Sequence, residues 1–292
     1  MSASAALATL RDYYELGKPR IIALLLVTTA AAMVMAARGL PPAWTAIWTL
    51  LGGALAAASA GAFNCIYDAD IDALMRRTCH RPLPMGRISV SAAAIYATIL
   101  GIAAFAVLYV RVNPLAAWLS LAGNLYYVGI YTMWLKRRTP LNIVIGGAAG
   151  AVPPLVGWAA VTGHVGAPAL GLFALIFLWT PPHFWALSLV VETDYEKANV
   201  PMLPNVSGVE RTKREIVYYT LLMVAASLVL YPLHVMGAFY FAVAALLGAV
   251  FILDAVRTWR HREPDAARAL FRYSLVYLAL MCAAMVFDRV VA

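Results

Sequence analysis

The stretch Thr45–Arg77, TAIWTLLGGALAAASAGAFNCIYDADIDALMRR, decides how the chain is read. From 45 to 67 it carries no charged side chain. An α-helix rises 1.5 Å per residue, so a run of this length crosses a hydrocarbon layer of roughly 30 Å. The next ten residues place Asp68, Asp70, Asp72, Arg76 and Arg77 at the end of that helix. The helix asks for a membrane, and the block of charge asks for a purpose.

The rest of the chain answers the first demand. Of its 292 residues 63% are hydrophobic and 12% charged, whereas a soluble domain carries about 25% charged residues. Apolar runs of spanning length recur at about 20–37, 45–67, 88–110, 114–134, 141–161, 167–191, 216–233, 237–256 and 270–290. The expected fold is therefore all-α: a polytopic membrane protein in which nine transmembrane helices form a bundle around a central cavity, with residues 1–292 as a single domain. The opening residues read as neither a cleavable signal nor an organelle presequence. A bacterial inner membrane is the expected location.

Basic residues set the orientation, because cytoplasmic loops retain Lys and Arg. All but three of the 22 fall on the N-terminus and the loops after every second span; only Arg38, Arg111 and Arg289 lie on the other face. That alternation needs an odd number of spans. It puts the N-terminus and the acidic loops in the cytoplasm and the C-terminus in the periplasm. The net charge of +8 is then a topology signal, and nucleic acid is excluded as a partner. Cys65, Cys79 and Cys282 lie far apart with no CxxC spacing, so neither a zinc site nor a disulfide framework is expected.

The second demand is chemical. Continued as a helix, Asn64, Asp68 and Asp72 stand at i, i+4 and i+8 on one face, while Asp70 points elsewhere. Two carboxylates and an amide oxygen on one stripe are hard ligands of the kind Mg²⁺ takes, and Mg²⁺ usually shares itself with a substrate phosphate. The same acids could instead form a solvated loop balanced by Arg76 and Arg77, with Asp72 and Arg76 at pairing distance. A second acidic cluster, Glu192, Asp194 and Glu196, follows the sixth span on the same face. After it comes VPMLPNVSG, a loose echo of the RPLPMG that follows the first, so each half of the bundle offers an acidic helix end to one cavity.

Two further stretches stand out. In YTMWLKRRTPLNIVIGG, 131–147, Lys136, Arg137 and Arg138 meet a helix start; they anchor the chain at the interface, or Lys136 and Tyr131 face an anion. In WTPPHFW, 179–185, Pro181 and Pro182 are expected to kink or break the sixth span, next to His183 and Trp185. A membrane histidine in that aromatic setting is either a packing group or a ligand.

At these residues the sequence resembles the UbiA-type intramembrane prenyltransferases, whose first signature is N-x-x-x-D-x-x-x-D, here Asn64, Asp68 and Asp72. Within that family it is most similar to the haem-modifying branch. The resemblance rests on KPR at 18–20, RRTCHRPLPMG at 76–86, LKRRTPLNIVIGGAAGAVPPLVGW at 135–158, WTPPHFWALSL at 179–189 and DYEKANVPMLP at 194–204. It runs from about residue 16 to the ninth span. Many relatives carry a second D-x-x-x-D after the sixth span; here Ala198 stands four residues after Asp194, so only the first acid is present.

The resemblance implies a farnesyl diphosphate donor, a haem b acceptor and Mg²⁺. It implies that Asn64, Asp68, Asp72 and Asp194 are the catalytic metal ligands, and that Lys18, Arg76, Lys136 and Arg137 bind the diphosphate. Tyr131, His183 and Trp185 are the implied contacts to haem or to a developing cation, and a downstream haem-modifying enzyme is the implied consumer. A prenyltransferase with an aromatic or quinone-precursor acceptor stays open as an alternative, as does a secondary transporter. The one-sided placement of the acids fits a lipid-borne substrate better than transport.

Overall fold

The computed structural model describes residues 3–261 and 264–291, all of whose regular structure is helical. Two helices, α1 (Ala3–Leu16) and α2 (Pro19–Ala37), lead into α3 (Ala43–Tyr67), short α4 (Ala69–Leu74) and α5 (Val90–Arg111). Then come α6 (Pro114–Leu125), continued by a π-helix (Tyr126–Leu135), α7 (Asn142–Thr162) and α8 (Ala167–Val190). Short α9 (Glu192–Lys197) and α10 (Leu203–Ser207) precede α11 (Val209–Val229), α12 (Ala238–Arg260) and α13 (Pro264–Val291). Each long helix packs on the next in sequence, and α13 returns to pack on α2, which closes the ring. Contacts between α2 and α7 and between α8 and α13 cross it.

Seven of these helices are long and apolar enough to span a membrane: α2, α3, α5, α7, α8, α12 and α13. The other two expected spans depart from the simple pattern for visible reasons. The run at 114–134 is divided between twelve α-helical and ten π-helical residues. The run at 216–233 is preceded, within the same helix, by Glu210, Arg211, Lys213, Arg214 and Glu215, so α11 starts in the polar layer.

The outside of the bundle is its greasiest part. Ile95, Ile99, Ile102 and Val110 on α5, and Leu246 and Leu253 on α12, are exposed, an arrangement that only hydrocarbon tolerates over so wide a surface. Small residues sit where helices cross. A Cβ on Gly157 of α7 would run into the Thr29 carbonyl of α2, and one on Gly61 of α3 would lie 3.0 Å from the Gly17 carbonyl. Tight crossings of this kind are how helices associate where lipid removes the hydrophobic drive between them.

Of the kink or break expected in the sixth span, the break does not occur. Pro181 and Pro182 do not break α8, which continues through them to Val190; Pro153 and Pro154 are likewise inside α7. Both prolines of α8 are buried against neighbouring helices. Breaking a helix there would strand several backbone groups in an apolar layer, which costs more than the two donors the prolines lack.

Both ends are tied. At the acidic end Arg87 Nε donates to Asp12 Oδ1 at 3.0 Å, and Tyr13 packs on Tyr96 with ring centroids 5.0 Å apart, which fastens α1 to the loop before α5 and to α5 itself. At the other end the buried Asp288 carboxylate accepts the backbone N–H groups of Gly237 and Tyr240 at 2.5 and 3.0 Å, capping α12 from α13.

The Gly157 crossing yields a test. Gly157→Val is expected to lower the thermal unfolding midpoint in detergent, by an overpacking cost of about 1–3 kcal/mol. Gly150→Ala, on the same helix with open space around it, is expected to leave the midpoint unchanged or raise it slightly.

Candidate active site

The acidic stripe is built by a helix that turns without losing its register. Asp68 ends α3 by donating its N–H to the Asn64 carbonyl at 2.9 Å, and its own carbonyl accepts the Asp72 N–H at 2.7 Å as α4 begins. The three side chains thus keep their four-residue stacking across the join. All three are buried, Asp68 completely. Asp70 is exposed, as the spacing requires.

Each of these groups meets a cation from a different element. Lys18 Nζ donates to Asn64 Oδ1, Lys136 Nζ to Asp68 Oδ2, and Arg81 Nη1 to Asp72 Oδ2 at 2.5 Å. Lys18 stands in the left-handed region (φ 59°, ψ 58°) just before α2. A non-glycine residue there is strained, and such strain collects at functional sites. Burial pushes the Lys18 ammonium below its ordinary pKa. Asp68 Oδ1 is buried with no hydrogen-bond partner.

The second acidic segment arrives at the same place. Asp194, on α9, is buried, and its Oδ2 accepts the backbone N–H of Arg77 at 3.4 Å. The neighbouring Tyr195 is also buried, and burial raises its phenol pKa. Glu196 is exposed. The loose sequence echo between the halves therefore corresponds to a physical meeting of α9 with the loop after α4.

Other expected site residues go elsewhere. Arg76 is exposed, and Asp72 pairs with Arg81 rather than with Arg76. Arg137 turns outward: it holds Asp70 through two hydrogen bonds of 2.7 and 2.6 Å, donates to the Tyr67 carbonyl, and lies 4.7 Å over the Tyr67 ring. Trp185 is 2% exposed and packs edge-on to Tyr219 between α8 and α11. His183 is stacked between Trp179 at 4.1 Å and Phe271 at 4.8 Å, with Nδ1 2.6 Å from Ser274 Oγ. Both ring faces are covered, which leaves the ring edge for any ligand.

The Tyr131 ring sits between the π-helix and α7. It lies against Gly146 of α7, where any side chain at 146 would collide with its ring, and stacks near Tyr127 with centroids 5.4 Å apart. Sequence reasoning missed Arg81, which is carried by an irregular loop, and Thr132, whose Oγ1 accepts the Asn64 Nδ2 donor at 3.0 Å. A groove of about 190 Å³ between α3, α5 and α6, lined by Phe63, Phe105 and Asn124 among others, contains none of the charged residues.

Among the described residues no three His, Cys, Asp or Glu side chains converge as a finished metal centre. The donor set nevertheless fits Mg²⁺ shared with a phosphate: all its donors are hard oxygens, and the unpartnered Asp68 Oδ1 is buried with a lone pair to give. The surrounding cations supply what a diphosphate needs in addition.

A ring of membrane-length helices with a buried carboxylate and cation cluster at one end defines a multi-pass membrane protein that keeps ionised groups at the edge of an apolar interior. The model of the UbiA prenyltransferase family matches residues 25–281, and the chain belongs to that family. It is 53% identical over 286 residues to a protoheme IX farnesyltransferase of Synechocystis, covering 96% of this chain and 90% of the relative. It is 54% identical to one of Gloeobacter violaceus, covering 97% and 93%. Among solved structures, a digeranylgeranylglyceryl phosphate synthase superposes with a TM-score of 0.80 at 18% identity, over 97% of this chain and 99% of that one. A UbiA homologue from Archaeoglobus fulgidus bound to GPP and Mg²⁺ superposes with a TM-score of 0.67 at 17% identity, over 94% and 99%.

The two adjacent cations are expected to separate in experiment. Lys136→Met leaves Asp68 buried without its partner, so a loss of about 3–5 kcal/mol is expected from thermal or denaturant unfolding. Arg137→Gln removes an exposed pair, for which about 0–1 kcal/mol is expected. The hydrogen bond from Arg137 holds the Asp70 carboxyl below its ordinary 3.8. The wild type therefore keeps that small contribution above this value and loses it as the pH falls through the lowered pKa, while Arg137→Gln lacks it throughout.

Proposed function

We propose that this chain transfers the farnesyl group of farnesyl diphosphate to a vinyl group of haem b, with addition of water, giving haem O and diphosphate. The observation that carries the reading is the buried cluster of Asn64, Asp68 and Asp72 with Lys18, Lys136 and Arg81, in which Asp68 Oδ1 has no partner. The relatives named protoheme IX farnesyltransferase support the choice of haem as acceptor.

In this reading Asp68, Asp72 and the Asn64 oxygen, joined by Asp194 from the other half, would hold Mg²⁺. Bound there, the metal supplies positive charge that a diphosphate needs as it leaves. Lys18, Lys136 and Arg81 turn from their present partners to the phosphate oxygens. Because they are already in place, they favour the charge that develops as the C–O bond breaks over the charge present before it. The departing diphosphate takes the bonding pair. The haem vinyl π electrons form the new C–C bond, and water captures the cation left beside the porphyrin ring and releases a proton. The Tyr131 ring, packed against Gly146 and four residues from Tyr127 in the same π-helix, is the aromatic face that would stabilise a passing allylic cation. His183 is a haem-side group acting through its ring edge, well apart from the diphosphate end.

The same reading takes all nine long helices as spans of a bacterial inner membrane, with the acidic end cytoplasmic and the C-terminus periplasmic. Its product is a hydrophobic modified haem, which a downstream haem-modifying enzyme consumes in the bilayer.

The test is incubation of purified protein in detergent with farnesyl diphosphate, haem b and Mg²⁺, beside Asp68→Asn. Chromatography with mass detection is expected to show haem carrying one farnesyl group and one water with the wild type, and at least about 10²-fold less with the variant, as befits loss of a metal ligand and a charge partner. Diphosphate release with a different acceptor, and no haem product, would reject haem as the substrate.

A further inference from the structure

Thr132 is itself assigned no contact with substrate, yet it is wholly buried and bonded to a residue that is. Asn64 has two ends with opposite chemistry. Its oxygen can only accept, its NH₂ can only donate, and a half-turn about the last side-chain bond exchanges them. A lysine ammonium has donors only, so the Lys18 contact requires the oxygen on that side. Lys18 alone does not hold the amide there once it turns to an incoming anion. The Thr132 hydroxyl, 3.0 Å from Nδ2, accepts from the opposite end and keeps the oxygen facing the site.

Thr132 shares an unusual stretch of backbone with Lys136. It lies in the ten-residue π-helix, where Lys136 N–H donates to the Tyr131 carbonyl five residues back at 2.9 Å. Lys136 stands four residues after Thr132, close enough to one turn for the two side chains to leave the backbone on the same side. The π-helix thus serves Asn64 and Asp68 together, through Thr132 and Lys136.

We propose that Thr132 is a positioning residue that fixes the Asn64 amide with its oxygen toward the metal and diphosphate site. The inference rests on the assignment of Asn64 as a ligand made above.

The test compares Thr132→Val, which keeps the shape and loses the acceptor, with Thr132→Ser, which restores it, and with Asn64→Ala and the Asn64→Ala/Thr132→Val double variant. Binding of a non-hydrolysable farnesyl thiodiphosphate is measured by calorimetry across a Mg²⁺ series, and folding is followed by gel filtration and thermal midpoint. Thr132→Val is expected to raise the Mg²⁺ concentration for half-maximal binding about 10-fold or more, the size seen when the partner of a ligand is lost. Thr132→Ser is expected to return it to near wild type. The double variant is expected to be no worse than Asn64→Ala, because Thr132 has nothing left to orient. Wild-type Mg²⁺ dependence in Thr132→Val, or losses that add fully in the double variant, would overturn the proposal while Asn64→Ala stays impaired. Should Thr132→Val misfold, Thr132→Ala takes its place with the same expectations. Unimpaired binding by Asn64→Ala would instead remove the ligand assignment itself, and the proposal with it.

Discussion

The pairing of Lys136 with Asp68 is the interaction on which the rest of the acidic end depends. Asp68 has no exposed surface, and an ionised carboxylate so placed is tolerated only when a charge of opposite sign and good hydrogen bonds meet it. It also sits at the hinge between α3 and α4, where its backbone serves both helices. Holding this one side chain therefore fixes the angle at which α4 leaves, the position of Asp72, and the loop that brings Arg81 back. The pair also welds the π-helix to α3, across the space between two neighbouring parts of the ring.

Such a cluster is costly to build and weak as a source of stability, because a well-packed apolar group would serve folding as well or better. Its presence makes sense as preparation. On the proposed reading the cations stand beside the diphosphate site before any ligand arrives, so a turn of each side chain is all that binding asks of them. On the same reading the apolar ring above would keep water from a carbocation until the acceptor is in place.

Much of this was legible in the sequence. The apolar runs gave the long helices, since hydrophobic length is a direct consequence of bilayer thickness. The four-residue stripe of Asn64, Asp68 and Asp72 survived because the turn at Asp68 preserves helical spacing. Lys18 and Lys136 stand beside it. What could not be read depended on backbone that no local pattern announces. A π-helix has the same composition as an α-helix, so Thr132 was invisible. Arg81, five residues beyond Arg76, was hidden by a loop whose path is set by the contacts it makes. Pro181 and Pro182 misled because their usual effect assumes water is ready to solvate a broken helix, and here none is.

The short step from α1 to α2 gives the N-terminal helix a significance beyond anchoring. Gly17 lies against Gly61 with almost no room, and Lys18 follows it in a strained left-handed turn. Arg87 and Tyr96 hold α1 in place, and a force that overcomes those two contacts is passed through two residues of backbone to the Lys18 amine. For anyone handling the protein this makes the two termini unequal. A tag or fusion ahead of α1 pulls on a lever attached to the site, whereas one after α13 hangs from the far end of the bundle, where Asp288 has already secured the last turns.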